Sequence, residues 1–271
     1  MNHFTFRQTK GLTYLVCEPL ERAGFLNAFS TRQTSDSNEF TLGHFNAEQR
    51  EQMLANRSRF KAAVGAPDAT LVTAKQIHSA DVRSIANHED AAQAPQPGDA
   101  LTANLSNVLL GIQTADCMPI IIVDERTRAF AGIHAGWRGT WQEIVARTVA
   151  RMQLEYDSCP EDLHAALGPA ICAENFEVGP EVLGQFRSKF RYAHELISHE
   201  QPNGKGHIDL NRCNAQQLLD AGVRPENIYD STLCTVARND LFFSYRKERG
   251  HEQYVGRLMC VVGQIGNSQK A

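Results

Sequence analysis

The sequence has little that would tie it to a membrane, a nucleic acid or an oxidising compartment. No apolar run among its 271 residues approaches the roughly 20 needed to span a bilayer as a helix. Met1 to Lys10 lacks the basic, apolar and small-residue order of a secretory leader. Lys and Arg total 27 against 31 Asp and Glu, a formal net charge of -4, and they are scattered. No basic stripe is offered to a phosphate backbone. Neither nucleic acid nor membrane is therefore expected as a partner, and the cytoplasm is the expected location. The seven cysteines are odd in number, irregularly spaced and without a Cys-x-x-Cys pair, which argues against a disulfide framework and against a local zinc knuckle. The ten histidines include no His-x-His pair.

Repeats and low-complexity tracts are missing too. Ala91 to Gly98, with its two prolines, and the polar stretch Arg32 to Phe40 read as surface loops rather than domain boundaries. Residues 1–271 are accordingly expected to form one domain.

What is present suits a globular core. Thr13–Cys17, Leu71–Ala74, Val82–Ala86, Val108–Ile112, Ile120–Val123 and Val255–Val262 have strand length and composition. Several are apolar on both faces and belong in the middle of a covered sheet. Helical patterns run over Asn46–Val64, over Trp141–Tyr156, where Ile144, Val145, Thr148, Val149 and Met152 share a face, and over Asn211–Ala221, which stops at Gly222. Strands outnumber helices without strict βαβ alternation, so the expected class is an α+β layered fold.

Chemistry concentrates between Thr114 and Thr140. An antiparallel strand pair turning at Glu125 to Thr127 sets the start of one strand, at Cys117, beside the end of the other, at His134. Gly136-Trp137-Arg138-Gly139 then leads into the Trp141 helix, whose unpaired N–H groups favour an anion, and Arg138 would add a planar fork for phosphate or carboxylate. His78 occupies a polar turn, Lys75 to Asp81. Taken alone, each of these three side chains is open to a structural reading, because they lie on separate segments and match no local metal motif.

Seven motifs occur in order: Gln76-Ile77-His78, Gly98-Asp99-Ala100-Leu101-Thr102, Thr114-Ala115-Asp116-Cys117-Met118-Pro119, His134-Ala135-Gly136-Trp137-Arg138-Gly139, Leu167-Gly168-Pro169-Ala170-Ile171, Glu177-Val178-Gly179 and Phe242-Phe243-Ser244-Tyr245-Arg246. Together they resemble the YfiH family of laccase-domain proteins over nearly the whole chain. The resemblance implies a layered sandwich of mixed β-sheets flanked by helices, and one metal held by His78, Cys117 and His134. It implies zinc, with copper as the alternative, and a purine nucleoside phosphorylase acting on adenosine, inosine and S-methyl-5'-thioadenosine with adenosine deaminase activity beside it. An older family label is copper-dependent polyphenol oxidase, and editing of muramyl-peptide cell-wall precursors has also been attached to members. Two places depart from the family's usual run. Ser30-Thr31-Arg32 continues with Gln33-Thr34-Ser35 rather than a Gly-Gly turn, and Tyr245-Arg246 continues with Lys247-Glu248 and a longer Arg249 to Tyr254 segment.

For deamination, zinc with three protein ligands and an open position needs a carboxylate to move a proton, and Asp99 and Asp116 are the candidates beside Cys117. Either is equally well read as a turn or cap residue. For phosphorolysis, cationic side chains must hold phosphate; Arg32, Arg57 and Arg138 are the candidates, with Gln76 as a further substrate contact. Arg57 also fits a solvated helix face. A blue-copper set would need Met118, but neighbours on a strand point to opposite faces. Cys117 as a nucleophile with His134 as its base would make a thiol amidohydrolase instead. A binding module without catalysis is the non-enzyme alternative.

Overall fold

The computed structural model describes residues 3–35, 40–43, 47–250 and 254–264. Among these, two six-stranded sheets lie face to face. The first runs, edge to edge, Phe4–Thr9, Leu12–Cys17, Leu26–Thr34, Leu258–Gln264, Val108–Thr114 and Thr70–Thr73; the second runs Ile228–Asp230, Leu163–Leu167, Met118–Asp124, Phe130–Ala135, Ala100–Ala103 and Val82–Ile85. Both mix parallel and antiparallel pairs. A small third sheet joins Glu177–Val178, Gly206–Ile208 and Ile197–Ser198.

Side chains sort by the two-residue period of a strand. Ile121 and Val123 point between the sheets, where they meet Phe29, Leu110, Ile112 and Phe130. Their neighbours Ile120 and Ile122 point outward against Ile144, Val145, Val149 and Leu218 of the helices Ile144–Tyr156 and Leu210–Asp220. On the far side, Phe60 of the helix Ala47–Ala63 packs with Phe40 over Tyr14, Met259 and Val261 of the first sheet. The molecule is thus a helix, sheet, sheet, helix stack, an α+β sandwich in which the central strands are covered on both faces. Gly132 lets the sheets approach, since a Cβ there would meet Ile112 Cγ1 at 2.9 Å.

Several elements differ from expectation. The helix expected over Trp141–Tyr156 is two helices, Trp137–Trp141 and Ile144–Tyr156, with Glu143 between them in the left-handed region at φ 62°. The break lets two apolar surfaces be served. Trp141 packs in the cluster around Phe186 and donates its indole N–H to Gln185 O at 3.2 Å, while Ile144 onward faces the sheet. The last strand begins at Leu258 rather than Val255, because Arg257 O is taken by Leu42 N–H outside the sheet ladder. Arg32 to Thr34 extend a strand instead of opening the expected loop, whose residues 36–39 lie outside the described ones. Ala91 closes the short helix His88–Ala91, and the irregular segment starts after it. Asn46 and residues 251–253 of the Arg249 to Tyr254 segment also lie outside the described residues. No helix of the described residues is long and apolar enough to cross a membrane.

Candidate metal centre

The register of two strands builds half of the site. Met118 pairs with Ala135 and Pro119 with His134, so Cys117, one residue before its strand, stands opposite Gly136. The other half comes from the loop after Thr70–Thr73, which carries His78. The loop is held by Asp99, which precedes the strand Ala100–Ala103. Its carboxylate accepts the backbone N–H groups of Ile77 at 3.1 Å, His78 at 3.0 Å and Ser79 at 2.7 Å, and the Ser79 hydroxyl at 2.9 Å. Three successive amides converging on one anion form a nest, which requires a left-handed residue. His78, at φ 59°, supplies it.

Asp99 has a second task. His134 Nδ1 donates to Asp99 Oδ1 at 2.8 Å, and the His134 amide donates to Asp99 O at 2.7 Å. Nδ1 is thereby occupied, leaving Nε2 as the nitrogen available to a ligand. The imidazoles of His78 and His134 meet edge to face with centroids 4.8 Å apart, and Cys117 Sγ lies 3.9 Å from His78 Nε2. One donor atom from each of the three residues lies within 4.8 Å of the other two.

The donor set fits a borderline-soft cation: one sulfur and two imidazole nitrogens, one of the imidazoles backed by a carboxylate. The charges agree. Burial alone would raise the Cys117 thiol, but His134 and His78 outweigh it and bring it down to about 6. Burial would lower His134, but the Cys117 sulfur and Asp99 outweigh it and bring it up to about 9. Asp99 is held at about 2, because the hydrogen bonds from His134, Ser79 and Ile77 overcome its burial. A Cβ at Gly136 would stand 3.0 Å from Cys117 Sγ and 3.1 Å from His78 Cδ2, so the cluster is packed against bare backbone.

The three residues line a cleft of about 800 Å³. Its charged lining residues, apart from the cluster itself, are Arg57, Lys75 and Arg257; no carboxylate lines it among the described residues. Arg57 donates Nε–H to Leu42 O at 2.9 Å, and burial lowers its guanidinium to about 10. Tyr245, half exposed, stands at the rim.

The other sequence candidates divide. Gln76 lines the cleft, yet its amide is spent on the backbone of Gln113, accepting from N–H at 2.8 Å and donating to O at 2.7 Å, which ties the His78 loop to the first sheet. Asp99 is fully buried behind His134 and has no face on the cleft. Asp116, at φ 86°, is buried, and its oxygens are taken by Thr235 Oγ1 and by Arg246 N–H, both at 2.6 Å. Arg138 departs from expectation. The helix starts at Trp137 instead of after it, and this turns Arg138 outward, its guanidinium 4.3 Å over the Trp137 ring. Arg32 also lies outside the cleft, paired with Glu248 at 2.8 Å and 4.4 Å over the Phe243 ring. That ion pair ties the residue just before one departure from the family's usual run to Glu248, which lies within the other. Lys75, Gln113, Tyr245 and Arg257 were not anticipated as cleft residues; the first three lie beside or within the ordered motifs, while Arg257 lies outside them.

Comparison with known proteins agrees with this architecture. Residues 26–264 match the family described as multi-copper polyphenol oxidoreductase laccase. The chain belongs to this family. Among curated relatives, it is 31% identical over 250 residues to a purine nucleoside phosphorylase of Bacteroides thetaiotaomicron, covering 88% of this chain and 93% of that one. It is 37% identical over 183 residues to adenosine deaminase RL5 from an unknown prokaryotic organism, covering 65% of this chain and 70% of that one. The crystal structure of YlmD from Geobacillus stearothermophilus superposes with a TM-score of 0.88 at 29% identity, covering 98% of this chain and 100% of that one. The relatives thus carry names of enzymes that act on purine nucleosides.

Proposed function

We propose that this protein is a zinc-dependent purine nucleoside phosphorylase acting on adenosine, inosine and S-methyl-5'-thioadenosine, with adenosine deaminase activity at the same centre. The observation that carries the reading is the placement of His78, Cys117 and His134 in a cleft whose remaining charged lining residues are all cationic. A cleft of this size accommodates a nucleoside together with a small anion. Held by these residues, zinc supplies Lewis acidity and an open coordination position.

The chain's own side chains do the rest. Arg57 and Arg257 bind phosphate and orient one of its oxygens toward C1′ of the ribose; Lys75 adds positive charge at the same wall. A fixed anion beside C1′ favours the positive charge that develops there as the bond to the purine breaks. Tyr245 lines the rim half exposed, and its ring is the aromatic surface there on which a purine would stack. Asp99 and Asp116 act as positioning residues: the first orients His134 and the His78 loop, and the second secures the turn before Cys117. Both have their oxygens committed, which disfavours proton exchange with a substrate.

One observation weighs against the copper reading, and another bears on the thiol reading. Met118 is buried on the opposite face, where its sulfur accepts from Asn214 Nδ2 at 3.7 Å, so it does not complete a blue-copper set. The lowered Cys117 thiol suits a nucleophile as well as a ligand, but one sulfur cannot serve both at once.

The test is incubation of metal-analysed protein with adenosine, with and without phosphate. Adenine and ribose 1-phosphate formed only with phosphate identify phosphorolysis; inosine formed without phosphate identifies deamination. Inertness toward every purine nucleoside, with turnover of a muramyl-peptide precursor or a phenol, would overturn the proposal. Cys117→Ala is expected to remove both metal and turnover.

A further inference from the structure

Outside the metal centre, two further cysteines come together. Cys172 follows the strand Leu163–Leu167 by a short irregular segment, and Cys234 follows Ile228–Asp230; a parallel bridge between Ala170 and Cys234 brings the two segments side by side. The Cys172 amide donates to Cys234 Sγ at 3.3 Å. Asn175 Nδ2 lies 3.1 Å from Cys172 Sγ and 3.5 Å from Cys234 Sγ, so a single amide nitrogen serves both sulfurs. Cys172 is partly exposed and lines a second cleft, of about 510 Å³, distinct from the metal cleft; Cys234 is just behind it and 8% exposed.

The two thiols are unlike in environment. Burial would raise the Cys234 thiol, but hydrogen bonds from Cys172 and from the backbone N–H groups of Ala237, Cys172 and Val236 outweigh it and draw it below the usual thiol range. Burial and the neighbouring Cys234 push Cys172 the other way. Of the two sulfurs Cys234, which accepts from the Cys172 amide and Asn175, is the one that ionises first, and Cys172 the one that keeps its proton, the division of labour of an attacking and a resolving cysteine.

We infer that Cys172 and Cys234 form an oxidisable dithiol that peroxide closes to an intrachain disulfide. The Cys234 thiolate attacks one peroxide oxygen and the O–O bond breaks, giving Cys234 sulfenic acid and hydroxide, which takes up a proton to become water. The Cys172 sulfur then attacks the Cys234 sulfur; the S–O bond breaks, and hydroxide leaves with the Cys172 proton as a second water. Two thiols lose two electrons, and peroxide gains them. The position gives the step a route to the metal centre. Thr235, adjacent to Cys234, donates to Asp116, which precedes Cys117; the Asn175 carbonyl accepts from Arg246 Nη1 at 3.1 Å, next to Tyr245 at the cleft rim.

The test uses the full chain, and the exposed Cys159 serves as an internal reference. Reduced protein is treated with substoichiometric hydrogen peroxide, the remaining thiols are blocked, and the peptides are mapped without reduction. The expected product is a crosslink between the Cys172 and Cys234 peptides that forms before Cys159 is appreciably oxidised and is undone by dithiothreitol. Cys172→Ser should leave Cys234 trapped as sulfenic acid, detectable with a dimedone probe, and Cys234→Ser should leave Cys172 reduced under the same dose. Oxidation of Cys159 ahead of any Cys172–Cys234 crosslink would overturn the inference, as would equal dimedone labelling of the two single variants.

Discussion

His134 Nδ1 donates to the Asp99 carboxylate at 2.8 Å, and that same carboxylate gathers the amides of Ile77, His78 and Ser79. One buried anion therefore orients two of the three candidate metal ligands, which sit on segments more than fifty residues apart in the chain. Asp99→Asn keeps the size but gives up the charge and half of the acceptor capacity. Zinc affinity, measured by competition with a chromophoric chelator, is expected to fall by roughly 10–100-fold, the usual cost of losing an outer partner of a ligating histidine. Unchanged affinity would remove Asp99 from the site.

Asp99 also predicts how stability varies with pH. Its carboxyl is depressed from 3.8 to about 2 by folding. The stabilisation it contributes is therefore present above its unfolded value, and it is lost as pH falls from about 4 through about 2. Urea unfolding of chelator-treated protein between pH 5 and pH 2 should show a steeper loss for the wild type than for Asp99→Asn. Parallel curves would contradict the assignment.

Gly136 is needed for space rather than for conformation. Its φ of −74° suits any residue, but a methyl group would press on Cys117 Sγ and His78 Cδ2. Gly136→Ala is expected to lose bound metal while keeping the far-ultraviolet circular dichroism of the wild type. Full metal content in that variant would mean that the cluster relaxes easily and is less tightly framed than its geometry indicates.

Arg57 faces the cleft with its guanidinium tethered only through Nε among the hydrogen bonds described. Arg57→Met removes a charge-assisted contact worth about 1.5–3 kcal/mol, so the KM for phosphate is expected to rise on the order of 10–100-fold. Zinc content and phosphate-independent deamination should be unaffected. A rise in the nucleoside KM with no change for phosphate would instead assign Arg57 to the ribose or base.

Arg32 and Glu248 provide a contrasting case. Their ion pair is largely buried and lies off the cleft, so breaking it should cost stability rather than substrate binding. Glu248→Gln is expected to lower the unfolding midpoint, with KM values for nucleoside and phosphate within about two-fold of wild type, since Glu248 Oε1 accepts from Arg32, Asn239 Nδ2 and the Ser244 N–H and a neutral amide oxygen is the weaker acceptor. A selective KM effect would show that the rim depends on this pair.

Much of the layered fold was legible in the sequence. Runs such as Val108–Ile112 and Ile120–Val123 are apolar on both faces, and only a doubly covered strand tolerates that; the Asn211–Ala221 pattern likewise specified its own helix to within a residue. The strand pair between Cys117 and His134 was legible for the same reason, because a short turn between two strands leaves one local pairing. Other features depended on contacts distant in the chain. The break at Glu143 arose because Trp141 and Ile144 are claimed by different apolar clusters, and the helix start at Trp137 leaves Arg138 turned away from the cleft. Sequence left Asp99 open between a proton carrier and a turn or cap residue; its oxygens accept from Ile77, Ser79 and His134, contacts that come from distant segments. Lys75, Tyr245 and Arg257 reach the cleft from three separate segments. Sequence by itself determined which stretches must be buried, since burial follows from the local period of apolar residues. Which side chains share a cleft, and which of the charged ones face it, was decided only when the two sheets packed.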